Sequence, residues 1–281
     1  MEIIKMIDVI IPAYDCGATI DKCLASLMCQ IDMNFKVILV DDNSDIPLNN
    51  MINRYNIDIL YIRNTKNYGC GLSRQIGINN ATSDYIIFLD ADDILMPYAI
   101  KLLNDAIKQQ PNGDVYYAGF YQLKDSKLQT NLMDNTHCHG KCYSRKFLTE
   151  FNITASDKIK FADDSYFNSI VLELSRNTIM LKYPIYIWIR NQYAITYSKS
   201  FKDQALADFI NAMVLSIQKL LDHKSLEDIR FTQTVADSII SQFKHQYVDL
   251  PSIEKHRSIE AIKQYDNIAN TDIYSNVKSL I

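Results

Sequence analysis

The chain predicts an α/β fold: a mainly parallel, twisted sheet flanked by helices, followed by a helical C-terminal appendage. Three observations carry this. Short apolar runs recur through the first half at residues 9–11, 37–40, 57–62 and 85–89. Helix-length segments separate them, and from about Phe201 the pattern is helical throughout. Near-continuous β-branched runs are the mark of strands buried on both faces, which is the condition of parallel strands joined by crossover helices.

Taken in order, the strand over 9–11 leads into residues 18–29, where Ile20, Leu24 and Leu27 recur at the spacing of one helix face. Residues 72–80 and 97–109 read as further crossover helices, and Pro97 stands near the start of the second, where its missing N–H costs nothing. From Asp114 the pattern turns to shorter strands over 115–123, 141–143 and 183–189, with helices near Phe147 and over 164–175. The tail reads as helices over 203–221, 226–247 and 252–265, a segment that suits acceptor recognition or assembly of an oligomer. No internal repeat or low-complexity linker interrupts the chain, so it divides into a main domain over 1–200 and an appendage over 201–281.

Composition narrows the partners. Of 281 residues, 48% are apolar and 22% charged, the balance of a globular protein rather than a disordered or fibrous one. A net charge of −4 supplies no electrostatic case for a nucleic-acid partner. No apolar run approaches the ~20 residues of a membrane-spanning helix. Met1-Glu2-Ile3-Ile4-Lys5 leads into a strand without a signal peptide, so a cytoplasmic location is expected. His137, Cys138, His139 and Cys142 cluster, but structural zinc sites normally draw ligand pairs from separate segments. The six cysteines are better read as free thiols in a reducing compartment.

The chemistry lies at strand ends. In Phe88-Leu89-Asp90-Ala91-Asp92-Asp93, three carboxylates follow an apolar run, where an α/β sheet presents oxygen ligands to hard cations and their phosphate partners. Strand alternation would put Asp90 and Asp92 on one face and leave Asp93 to cap the next helix. A cap-rich turn is the plainer reading. Ile11-Pro12-Ala13-Tyr14 and Val40-Asp41-Asp42-Asn43-Ser44 also end strands. Asp41 suits a base N–H or ribose hydroxyl, and the backbone around Pro12 and Tyr14 suits a planar ring, against plain roles as terminator and turn. Asn67-Tyr68-Gly69-Cys70-Gly71-Leu72-Ser73-Arg74 has the wrong glycine spacing for a dinucleotide fingerprint. Arg74, near a helix start, suits a phosphate or the acids of the Asp90 block.

Together these blocks resemble the inverting family 2 glycosyltransferases with the A-type nucleotide-sugar-binding fold. Val9 to Asp15 matches the family's Val-Ile-Ile-Pro-Ala-Tyr-Asn with Asp15 for Asn, and Val40 to Asp45 matches Val-Asp-Asp-x-Ser-x-Asp with the last Asp one place early. Asn67 to Gly77 matches Asn-x-Gly-x-x-x-Ala-Arg-Asn-x-Gly with Ser73 and Gln75 substituted, and the acidic block is whole. His139-Gly140-Lys141-Cys142-Tyr143 resembles the family's acceptor-side Gly-Lys-Leu-Tyr-Arg segment, and Ala162-Asp163-Asp164-Ser165-Tyr166-Phe167 its Gly-Glu-Asp-x-x-Phe segment. Gln192 stands where many relatives have a histidine that could ligate the metal.

The resemblance implies an enzyme of hexosyl- or N-acetylhexosaminyltransferase type, moving a sugar from a nucleoside diphosphate, a uridine one first, to a hydroxyl acceptor with inversion. It implies Mn²⁺ or Mg²⁺ held by Asp92 and Asp90, and donor contacts at Pro12, Ala13, Tyr14, Asp41, Asn67, Arg74, Asp90, Ala91 and Asp92. His139, Lys141 and Asp163 fall on the acceptor side and Asp164 on the catalytic base. The acceptor stays open among polysaccharide, lipid carrier, protein and modified DNA base. Two alternatives stand beside it: a nucleotidyltransferase making a nucleotide-sugar, and a catalytically inactive nucleotide-sugar-binding module.

Overall fold

The first half alternates β1 (Ile7–Ala13), α1 (Ile20–Met28), β2 (Phe35–Asp41), α2 (Asn49–Ile52), β3 (Ile59–Arg63), α3 (Cys70–Asn80), β4 (Tyr85–Phe88), β5 (Ile94–Leu95) and α4 (Ala99–Gln109). There follow β6 (Val115–Tyr117), β7 (Phe120–Lys124), β8 (Lys127–Asn131), β9 (Lys141–Ser144), α5 (Arg145–Glu150), α6 (Asp163–Leu174), β10 (Thr178–Met180) and β11 (Tyr186–Ile189). The chain ends in α7 (Lys199–Leu220), α8 (Thr232–Gln246), α9 (Ser252–Ala269) and α10 (Ile273–Val277). These elements come from a computed structural model that describes residues 7–159, 161–190, 199–246 and 249–278.

The main sheet has the order β10-β6-β9-β4-β1-β2-β3, parallel except for β9, which runs against both β4 and β6. The four strands expected in the first half are its parallel core. Alternate residues Ile7, Val9 and Ile11 of β1, Val37 and Leu39 of β2 and Ile87 of β4 join one buried cluster with Leu24 and Leu27 of α1 and Leu103 and Ile107 of α4. The intervening Ile10, Ile38 and Ile86 are buried too. On that face α3 comes so close that a Cβ on Gly77 would lie 2.3 Å from Ile10 Cγ2. Gly77 is thus a packing requirement, and any side chain there would push α3 off β1.

Residues 115–123, expected as one strand, form two. Gly119 interrupts them at φ +73, and a Cβ there would lie 2.5 Å from the Asn131 carbonyl oxygen. β7 accordingly leaves the main sheet for a second one of order β5-β11-β7-β8. The short β5, β8 and β10 were not expected from the sequence; β8 is almost wholly exposed and carries no apolar alternation.

Contacts group the described residues otherwise than a cut at residue 200. Those up to Asp157 form one unit with Ser175–Arg190, while Lys158–Leu174 belong with the described residues from Lys199 onward. In the second unit α6 packs on α7 and α7 on α9. Among the described residues no helix is long and apolar enough to cross a membrane.

Candidate active site

β1 lies between β2 and β4, so successive connections leave it on opposite sides, and the carboxyl ends of these strands frame the crevice where open α/β sheets bind ligands. Backbone bonds align those ends: Asp42 N–H donates to the Ala13 carbonyl at 2.7 Å, Asn64 N–H to Asp41 at 2.8 Å and Leu89 N–H to Ile10 at 3.0 Å. Pro12, Ala13 and Ala91 are buried there, whereas Tyr14 is 51% exposed and Asn67 lies at the surface. The Tyr14 phenol is raised, first by the neighbouring Asp15 carboxylate, and takes a side-chain hydrogen bond from Asn67.

The three acids after β4 have three different environments. Asp90 receives Arg74 Nη2 at 2.7 Å and faces His139 Nε2 at 3.4 Å. Burial opposes its charge, yet Arg74 and His139 hold its carboxyl well below the usual range. Arg74 thus pairs with the acid block, one of the two roles its place in the sequence suits. Asp93 is buried, accepts from the Tyr186 hydroxyl at 2.6 Å and from Ile189 N–H at 2.7 Å, and is pushed up by burial and by Asp90. It does not cap a helix; it ties β11 to the acid block.

Asp92 differs from both. Burial and the Asp90 charge push it up to about 6, and its only hydrogen-bonding partner among the described residues is its own backbone. The expectation that Asp90 and Asp92 share a strand face fails for a simple reason: β4 ends at Phe88, and Ala91-Asp92 is already a turn. The group whose ligand atoms lie within 4.8 Å of one another is instead Asp90, Asp93 and His139. His137, Cys138, His139 and Cys142 form no such group among the described residues, and none of the six cysteines is joined in a disulfide.

Asp41 is fully buried with both oxygens engaged. Ser44 N–H donates at 2.8 Å, Leu48 N–H at 3.3 Å, and the Tyr61 hydroxyl and Arg63 Nη1 at 2.6 Å each. Burial works against its charge, but these donors bring its pKa down. Asp42 likewise accepts from Asn64 Nδ2, Tyr68 N–H and Gly69 N–H at 2.7–2.9 Å, so it anchors the loop entering α3, with Gly69 at φ +89.

His139 and Lys141, expected on the acceptor side, are interior. The His139 ring stacks on Tyr186 at 4.5 Å between centroids. Lys141 has no exposed surface; its ammonium donates to the Asp134 and His137 carbonyls and lies 4.3 Å over the Tyr117 ring. Gly140 between them, at φ +67, leaves no room for a Cβ, which would lie 1.9 Å from the Gly119 carbonyl oxygen.

In the second unit Asp163 and Asp164 open α6, where acids suit the macrodipole. Ala162 precedes them at φ +63, a conformation costing a residue with a Cβ about 1–2 kcal/mol. Gln192 lies outside the described residues. Sequence reasoning missed Tyr61, Arg63, Asn64 and Tyr186 as organisers of the strand ends. Their partners are 20 to 96 residues away, and no local pattern marks them.

The glycosyl transferase family 2 model matches residues 8–172, and the chain belongs to that family. An uncharacterized glycosyltransferase of Haemophilus influenzae is 35% identical over 112 residues, covering 40% of this chain and 38% of that protein. EpsJ, an uncharacterized glycosyltransferase of Bacillus subtilis, is 25% identical over 219 residues, covering 69% and 63%. The chain thus spans less than two thirds of either relative. The crystal structure of Staphylococcus aureus TarS 1-349 in complex with UDP-GlcNAc superposes with a TM-score of 0.76 at 19% identity, over 94% of this chain and 81% of that one. The mannosyltransferase PcManGT of Pyrobaculum calidifontis, in complex with GDP-Man and Mn²⁺, gives 0.57 at 14% identity, over 97% and 78%. At these identities the likeness is one of fold, and it is the A-type fold expected.

Proposed function

We propose that this chain transfers a sugar from a uridine diphosphate donor to a hydroxyl acceptor with inversion, using a divalent cation, with donor binding and catalysis in residues 1–200. The observation that carries the reading is Asp92, a partly buried carboxylate that among the described residues bonds only its own backbone and meets no cation, at the crevice edge beside an Asp90 that Arg74 already neutralises. That donor set fits a hard cation: all-oxygen ligation suits Mn²⁺ or Mg²⁺, and a positive charge would relieve the cost that pushes Asp92 up. The ion supplies charge neutralisation for the departing diphosphate. TarS bound to UDP-GlcNAc and PcManGT bound to GDP-Man and Mn²⁺ support the donor class, the N-acetylhexosaminyl type and the metal.

The protein's own residues do the rest. Arg74 and His139 keep Asp90 ionised and in place. Asp41 shapes the nucleoside end through Tyr61 and Arg63, so Asp41→Ala should weaken UDP more than inorganic diphosphate. Asp164 takes the proton of the acceptor hydroxyl as its oxygen bonds to the anomeric carbon and the sugar–diphosphate bond breaks, the electron pair leaving with the diphosphate. One base suffices for a single displacement.

The test is a panel of nucleotide-sugars assayed for Mn²⁺-dependent hydrolysis, with calorimetry of UDP binding. UDP should bind more tightly with Mn²⁺, and Asp92→Ala should remove most of that enhancement. Equal enhancement in both proteins rejects the metal assignment. Release of pyrophosphate from UTP and a sugar 1-phosphate, with no UDP released from any nucleotide-sugar, would favour a nucleotidyltransferase, and binding without turnover of any donor an inactive module.

A further inference from the structure

The helices after residue 199 carry no motif that the reaction uses, yet a buried carboxylate among them reaches the segment bearing Asp164. Asp208 of α7 is 6% exposed and accepts from Phe161 N–H at 3.3 Å. Its other oxygen takes Arg257 Nη2 of α9 at 2.9 Å, and Arg257 Nη1 binds Glu254 at 2.7 Å. A carboxylate this buried needs a cation and donors, and one of its donors is the backbone just ahead of the acid pair.

The next residue, Ala162, holds a left-handed conformation that persists only where surroundings enforce it. Its carbonyl accepts from Tyr166 N–H at 3.1 Å, so the left-handed residue is the entry to α6, and Asp163 and Asp164 follow in the first turn. Ser216 of α7 then donates to the Tyr166 carbonyl at 3.3 Å, and Ser169 to Met213 Sδ at 3.6 Å. Contacts from α7 thus run along α6 from its entry.

We propose that Asp208 and Arg257 are positioning residues: they pin Phe161, enforce the turn at Ala162 and so aim Asp164. The C-terminal helices then belong to catalysis through the base. This rests on the reading of Asp164 as that base. The rival account is a pair that only stabilises the helices.

The experiment uses the full chain and the nucleotide-sugar hydrolysed fastest in the panel above. Arg257→Ala should speed amide exchange at 161–166 about tenfold while β1 and β2 keep their protection. It should lower kcat about tenfold, with KM and UDP affinity within about twofold, since a displaced reacting group costs rate rather than binding. Arg257→Lys should recover most of the loss. In an Asp164→Asn background, Arg257→Ala should add less than about twofold. Equal losses in both backgrounds, unchanged exchange at 161–166, or a loss that tracks UDP affinity would each overturn the proposal. Should Arg257→Ala fail to fold, Asp208→Asn, which keeps the shape, is read the same way. Full kcat in Asp164→Asn alone would sink the base reading, and the exchange result would still decide whether the pair pins the segment.

Discussion

The acidic turn after β4 and the one that opens α6 are held by different means. After β4, Asp90 and Asp93 are fixed through their carboxylates by Arg74, Tyr186 and the Ile189 N–H, which leaves Asp92 as the acid without a partner side chain among the described residues. At the start of α6, Asp163 and Asp164 follow an Ala in a left-handed conformation whose upstream neighbour is tied to Asp208. The first turn is fixed through its side chains, and the second also through the backbone that leads into it. A carboxylate whose oxygens are saturated by fixed donors is structure, whereas a left-handed residue with a tied upstream amide sets where the acids of α6 begin.

The two turns differ most in their chemistry, and α6 is where that shows first. Asp164→Asn keeps the shape and removes the proton acceptor, so transfer should fall at least ~10²-fold while UDP and metal binding survive. Asp163→Asn is the control, because adjacent residues on a helix point in different directions. The reverse outcome would mean that the acid register is off by one. If neither matters, the base lies elsewhere.

At β4 the same logic predicts opposite effects from neighbouring acids. Asp90→Ala removes the anion paired with Arg74, only 6% exposed, and should cost about 3 kcal/mol in unfolding free energy. Asp92→Ala removes an acid whose charge burial already disfavours, so stability should hold or rise while the Mn²⁺ enhancement of UDP binding is lost. Equal destabilisation by both, measured in urea, would show that the environments of the two acids do not differ as their contacts indicate.

How legible this was in the sequence depends on range. The four parallel strands and their crossover helices were readable because apolar periodicity is local, and the motif blocks placed the acids at strand ends. What could not be read was partnership. Asp93 looked like a helix cap because its hydrogen-bond donors, Tyr186 and Ile189, come from a strand over 90 residues on. Lys141 was expected on the acceptor side because nothing local shows that Tyr117 and the 134–137 loop enclose it. The break between β6 and β7 was signalled by Gly119, but the apolar residues on either side masked it.

Asp134 extends the side-chain-held class to a site away from the acid block and makes it visible in pH. It accepts from the N–H and hydroxyl of Thr136 and from His137 N–H and Nδ1 at 2.8–2.9 Å. Burial raises its pKa, but the His137 contacts outweigh that and hold it well below the usual range. A depressed folded pKa means that the unfolded chain binds more protons, so the stabilisation is fully present above the unfolded value of about 3.9 and is lost as pH falls below it. Asp134→Asn should cost about 2 kcal/mol at neutral pH, with the gap to wild type closing below about pH 4. A gap independent of pH would mean that the bonds matter for geometry alone.

The smallest effect is expected from the backbone at the entry to α6. Positive φ in the first unit falls to Gly69, Gly119 and Gly140 and to the polar Asp15, Asn43, Asp125, Ser126 and Asn152, whereas at the entry to α6 the apolar Ala162 sits at φ +63, where the family segment it resembles has Gly. Ala162→Gly removes the clash of Cβ with the backbone but adds freedom to the unfolded chain, so the two terms oppose each other. The left-handed penalty of about 1–2 kcal/mol exceeds the entropic loss of about 0.4–1 kcal/mol, and the variant should gain up to roughly 1 kcal/mol. For a body of this size that is a rise of about 2–4 °C in Tm by calorimetry. A lower Tm would mean that Ala162 earns its place by a packing contact of its methyl group. An unchanged Tm with faster amide exchange at 161–166 would mean that the Asp208 bond alone, without the stiffness of Ala162, does not hold the turn.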